Sequence, residues 1–200
     1  MNSPSCALKL STIASSNRLL RFGGSGNDGL DYGVGMPCLP HGRCLNVSHF
    51  TRFMNFAVAA GSRLVFGLNM NPRNSTTGYW DATQARAMIT YAQAHGFGKT
   101  FWGFELGNEV TGEYTPHKYA QDLLVLQALL VDLFPDAAAR PKIVGPDIIL
   151  RVFKDPNTTV ANNHALGYLA EFVANCSALG VDLHAVTHHE YLEIAECPLR

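Results

Sequence analysis

Residues 103 to 110 read GFELGNEV, which sets Asn108 and Glu109 side by side at the end of an apolar run. A glutamic acid carried to an open rim can give and take protons, the work of a general acid/base, and an amide next to it can hold a polar substrate in place. The run before the pair, residues 100–106 (TFWGFEL), is short and aromatic, as a buried strand is. Gly107 breaks it and lets the backbone turn sharply. A turn is the plainer use of Asn108, since Asn favours turns, and Glu109 could be an ordinary solvent-facing loop acid.

Other polar residues follow short apolar runs in the same way: Ser25 and Asn27, Asn69 and Asn71, Asp147, and then His188, His189 and Tyr191. Asn69 opens Asn-Met-Asn-Pro, which also reads as a turn. The sequence His184…His188-His189 invites a metal reading, but strand alternation sends His184 and His188 to one face and His189 to the other. No third ligand has suitable spacing, so no metal is expected. Phe22-Gly-Gly-Ser-Gly suits either close backbone packing at a rim or contact with a sugar. No Lys follows it, and its order is wrong for a dinucleotide fingerprint, so no phosphate-bearing cofactor is expected.

These residues need elements to carry them. Five apolar runs, residues 18–23, 63–69, 100–106, 141–145 and 181–187, begin about 40 residues apart, a spacing suited to strand–helix units. Helical patterns lie between them. Residues 47–60 are expected to be capped near Ser48, 82–95 to follow Asp81, 116–134 to start with Thr115 as cap and Pro116 in the first turn, and 162–179 to end at Gly180. Strands that read as buried on both faces, joined by helices, form a parallel sheet. The polar residues gather at five consecutive strand ends. A doubly wound sheet concentrates its site at one switch point, so the expectation is α/β with a (β/α)8 barrel, partial in this chain.

The bulk composition sets outer bounds. The chain has 200 residues, 47% hydrophobic and 16% charged, with a formal net charge of −1. That describes a globular chain with no field for nucleic acid, and no apolar run reaches the length of a membrane span. Five cysteines (Cys6, Cys38, Cys44, Cys176 and Cys197) form no CxxC pair, and Cys38 and Cys44 can close a short loop in an oxidising compartment. Four N-x-S/T sequons, at Asn46, Asn74, Asn157 and Asn175, favour a secreted glycoprotein, although residues 1–16 lack the apolar stretch of a signal peptide.

Taken in order, the motifs resemble the heparanase-like glycosidases of glycoside hydrolase family 79, in the clan of retaining (β/α)8 hydrolases. Glu105-Leu-Gly-Asn-Glu109 looks like the acid/base signature of that family. Leu20-Arg-Phe-Gly-Gly-Ser25, Val65-Phe-Gly-Leu-Asn69, Tyr79-Trp-Asp81, Val144-Gly-Pro-Asp147 and Val186-Thr-His-His-Glu-Tyr191 resemble its other segments. The match covers about residues 7–192.

The resemblance implies that Glu109 is the general acid/base and that Asn108 bonds the sugar 2-hydroxyl. It also implies that Ser25, Asn69, His189 and Tyr191 line the subsite for the cleaved sugar. The implied substrates are β-linked uronic acids in glucuronides or proteoglycans, with no cofactor, in the secretory pathway, lysosome or cell surface. Val110 and Phe104 depart from the Pro and Trp common in the family, which blurs the subfamily.

The family's nucleophile is a Glu at the end of barrel strand seven. Residues 1–200 are therefore expected to hold barrel strands two to six of a catalytic domain, to lack strand one and strands seven and eight, and to be inactive alone. Glu190, Glu193 and Glu196 follow strand six too closely to be that nucleophile. The competing readings are a non-catalytic carbohydrate-binding pseudoenzyme and an α/β sugar-binding module.

Overall fold

The computed structural model describes residues 18–39, 42–110, 114–149 and 159–189. Seven strands and four helices lie among them: β1 Arg18–Phe22, β2 Leu30–Gly33, β3 Arg43–Asn46, α1 Val47–Ala59, β4 Ser62–Leu68, α2 Thr83–Ala94, β5 Phe101–Leu106, α3 Pro116–Leu133, β6 Lys142–Ile149, α4 Thr159–Leu179 and β7 Leu183–His189.

Five strands form one parallel sheet in the order β1-β4-β5-β6-β7. Each strand pairs with the next one the chain contributes, and the order never reverses. This is an arc of a (β/α)8 barrel rather than a doubly wound sheet. The concave side holds a cleft of about 430 Å³, lined by residues of all five strands, among them Arg21, Val65, Glu105, Asp147 and His189.

Burial on both faces holds for β4, β5 and β6 but not for β1 and β7, whose residues alternate between half-buried and exposed. Among the described residues those two are the sheet edges, each paired with one neighbouring strand.

The helices cover the convex face because their apolar residues recur at helical spacing. In α1 these are Phe50, Met54 and Ala57; in α3 they are Tyr119, Leu123, Leu126 and Leu130. They meet an aromatic layer on the sheet, where Phe66 stacks on Phe22 at 4.8 Å and lies edge-on to Phe101 and Phe104 at 6.1 and 6.4 Å.

The helix starts follow local capping chemistry. Thr115 accepts the Lys118 N–H at 3.2 Å with Pro116 in the first turn, as expected. The cap of α1 is Asn46 rather than Ser48: its Oδ1 accepts the His49 N–H at 2.9 Å, which puts the helix start one residue before Ser48. Asp81 accepts the Thr83 N–H at 2.9 Å and so marks the start of α2.

The strands β2 and β3 form a separate parallel pair that hydrophobic periodicity did not reveal. Four residues are too few to show a period, and this stretch is rich in Gly and polar groups. Cys38 and Cys44 are joined by a disulfide that closes the connection between them. Tyr32 ties the pair to the sheet, since its hydroxyl accepts the Asn69 N–H at 2.7 Å.

Candidate active site

Glu109 is set in place by the end of β5. Gly107 has φ +80, and a Cβ there would lie 2.2 Å from Met70 Sδ, so only glycine fits the turn. Its N–H donates to Leu68 O at 2.8 Å, clipping the turn to β4. From α3 below, the buried Tyr119 hydroxyl donates to Leu106 O at 2.7 Å. Val110, 3% exposed, anchors the chain on the far side. The two residues between these anchors, Asn108 and Glu109, are presented at the C-terminal rim.

Four of the expected site residues come together there. His189 Nδ1 lies 2.9 Å from Glu109 Oε1, and the two side chains are 24% and 23% exposed. Asn108 donates from Nδ2 to Ser25 Oγ at 3.3 Å, and its Oδ1 accepts from Arg21 at 3.2 Å. Strict strand alternation does not separate the histidines: His188 and His189 both line the concave cleft, as does Trp102, to which His184 is edge-on at 5.3 Å, because the pairing of β6 with β7 shifts register along its length.

Asn69 lies apart from this group. It is 5% exposed; its Nδ2 donates to Leu30 O at 3.2 Å and its Oδ1 accepts the Asn71 N–H at 2.9 Å. Its carbonyl accepts from Trp80 Nε1 at 2.9 Å. The whole residue joins β2, the end of β4 and the following loop. Tyr191, Asn157 and the acids Glu190, Glu193 and Glu196 lie outside the described residues.

Beneath the rim runs an ionic layer that the sequence motifs did not single out. Arg21 Nε donates to Glu105 Oε2 at 2.7 Å, and its guanidinium also bonds Asp147. Glu105 is fully buried and also accepts from Thr187 Oγ1 at 2.6 Å; that same oxygen takes the Asp147 N–H at 3.0 Å. His189 Nε2 is 3.0 Å from Asp147 Oδ1. The layer thus links β1, β5, β6 and β7. A charged residue inside an otherwise apolar strand was the available signal, present in both RLLRF and FWGFEL: opposite charges on near strands of one sheet face pair with each other.

Burial pushes the carboxyls of this layer upward. Desolvation is the main cause for Glu105, followed by the Asp147 charge, with Thr187 and Arg21 opposing. Asp147 is raised by desolvation against the pull of Arg21 and His189. Asp28, in the turn after β1, is pushed up to about 6 by desolvation; the Asn108 N–H opposes this and the Asp147 charge adds to it. Its Oδ1 is buried with no hydrogen-bond partner among the described residues.

The glycine-rich turn has a packing role. A Cβ on Gly23 would stand 2.7 Å from Arg21 Cζ, and one on Gly67 would stand 3.2 Å from Gly23 Cα and from Phe22 O. The small residues leave room for the guanidinium to cross the sheet.

A parallel barrel arc with an acid, an amide and a histidine on its C-terminal rim is the arrangement of a (β/α)8 enzyme. The profile of Glycosyl hydrolase family 79, N-terminal domain, matches residues 7–188, so the chain belongs to that family. A baicalin-beta-D-glucuronidase from Scutellaria baicalensis is 26% identical over 210 residues, covering 86% of this chain and 36% of the relative. The chain therefore spans about a third of that relative's length. Among solved structures, a Paenibacillus polymyxa xyloglucanase of glycoside hydrolase family 44, alone and with xyloglucan, aligns with 91% of this chain and 50% of its own, at 13% identity and a TM-score of 0.49.

Proposed function

We propose that the protein is a retaining glycoside hydrolase acting on β-D-glucuronides, with Glu109 as general acid/base. The observation that carries this reading is the presentation of Glu109 on the strand rim, bonded to His189 and preceded by an anchored Asn108. Family membership and the glucuronidase relative support the reaction class and the sugar.

In the first half-reaction Glu109 donates a proton to the glycosidic oxygen; in the second it takes one from water. Asn108, held by Arg21 and Ser25, keeps its amide at the rim for the sugar 2-hydroxyl, and Tyr191 completes the subsite with His189. A retaining mechanism needs a second carboxyl about 5–5.5 Å from the first as nucleophile. Glu105 and Asp147 are already engaged with Arg21, Thr187 and His189. Neither is therefore given that role; the family resemblance implies a Glu at the end of barrel strand seven as the nucleophile, one strand beyond β7 in the arc. The Cys38–Cys44 disulfide and the exposed sequon asparagines Asn46 and Asn74 support a secretory-pathway location.

The test is turnover of a chromogenic β-glucuronide by the protein in its full natural length, with and without Glu109→Gln. Loss of about 10²-fold or more in the variant supports the reading. Unchanged turnover sinks the acid role, and the absence of any turnover favours a non-catalytic sugar binder.

A further inference from the structure

We propose that Asp147 is a positioning residue for the acid: it holds the Glu109 backbone and fixes His189 in the form that shares the Glu109 proton. The inference rests on Glu109 being the acid/base.

Asp147 lies near the C-terminal end of β6, which sits in the sheet between β5, the strand that leads to Glu109, and β7, which ends at His189. It is 1% exposed, and three donors converge on its carboxylate: the Arg21 guanidinium, His189 Nε2 and the Glu109 N–H. Glu109 has φ +51, a left-handed conformation that non-glycine residues adopt at a cost and keep only where the surroundings hold them. The Asp147 carboxylate is the group that takes the N–H of this strained residue.

The same carboxylate decides the state of the histidine. An ionised carboxylate only accepts hydrogen bonds, so the Nε2 facing it carries the hydrogen. In the neutral ring Nδ1 is then a bare acceptor, 2.9 Å from Glu109 Oε1. One proton is thus held between Oε1 and Nδ1.

When Glu109 passes its proton to the leaving oxygen, the Nδ1 lone pair is left facing a carboxylate. That repulsion favours recovery of the proton released when water attacks the glycosyl-enzyme intermediate in the second half-reaction. The proton lost in the first half-reaction is regained in the second, so the cycle balances. The charged groups that bear on the pair are Arg21 from β1, Asp28 from the turn after it, Glu105 from β5 and Asp147 itself.

The experiment compares phenyl and 2,4-dinitrophenyl β-D-glucuronides as substrates of the full natural protein. Phenol needs protonation to leave, and dinitrophenol does not. Asp147→Asn is expected to cost about 10²-fold in kcat/KM with the phenyl substrate, far less with the dinitrophenyl one, and to move the basic limb of the pH profile. Equal losses on both substrates, or none, overturn the proposal, because a purely structural role would not depend on the leaving group. Glu109→Gln separates the two readings. If it retains phenyl turnover, the acid assignment itself falls, and with it the proposal. If it is inactive while Asp147→Asn matches the parent, only the positioning role falls. Nitrogen-15 NMR of the unsubstituted protein, with His189→Gln identifying the resonance, needs neither turnover nor a folded Asp147 variant. Hydrogen on His189 Nε2 is expected, and a bare Nε2 overturns the proposal.

Discussion

Arg21 Nε lies 2.7 Å from Glu105 Oε2, joining β1 to β5 across the intervening β4. Glu105 is fully buried, and the same guanidinium also serves Asp147, so one cation compensates two carboxylates. Removing one partner of such a pair leaves a charge without water or counter-ion. Arg21→Met is expected to lower stability by about 3 kcal/mol in urea denaturation. The double variant Arg21→Met/Glu105→Gln should lose clearly less than the two single losses added together. Additive losses would mean that the two residues are not coupled.

Gly23 leaves the space that the Arg21 guanidinium occupies, since a Cβ at this position would fall 2.7 Å from Arg21 Cζ. Gly23→Ala is therefore expected to displace that group and cost about 1–3 kcal/mol as overpacking does. In an Arg21→Met background the same change should cost much less. Equal costs in both backgrounds would show that the strain lies in the turn rather than in contact with Arg21.

Asp28 gives a pH prediction with a definite sign. Its carboxyl is raised in the folded protein to about 6 from the ordinary value of 3.8, chiefly by burial. The folded state therefore holds this proton more tightly than the unfolded chain. The stabilisation is present below about 4 and is lost as pH rises through about 6. Asp28→Asn removes the charge that must otherwise be buried. Relative to the parent it should gain about 1–2 kcal/mol at pH 8, after allowance for solvent screening, and nothing at pH 4. A gain that did not change between those two pH values would contradict this origin.

Three sequons fall within the described residues and differ in local geometry. At Asn74 the Oδ1 accepts from the Thr76 and Thr77 N–H groups in an exposed turn. At Asn175, inside α4, Nδ2 donates to Glu171 O at 2.8 Å, and Cys176 within that sequon is 2% exposed. Made through a secretory pathway, the protein should carry a glycan at Asn74, detected by mass before and after enzymatic deglycosylation and lost in Asn74→Gln. Asn175→Gln should leave the glycan mass unchanged. A glycan mapped to Asn175 would count against this order of preference.

The helices and the five-stranded sheet were legible in the sequence because each depends on local chemistry. Apolar spacing in α1 and α3, Thr115 and Pro116 at the start of α3, and Gly107 after β5 act within a few residues of themselves. The motif around Glu109 was legible for the same reason, since the acid, the amide and the turn that presents them are consecutive. What needed the tertiary structure was everything that depends on parallel strands meeting. Arg21 and Glu105 are 84 positions apart, and Glu109 and His189 are 80 apart, yet each pair is within hydrogen-bonding distance. Asn69 shows the same limit from the other side: in sequence it resembles a substrate-facing amide, but in the fold Leu30, Asn71 and Trp80 surround it. The sequence determines which side chains each strand end carries. The register between neighbouring strands decides which of them meet, and that register is set by packing of the whole sheet against its helices.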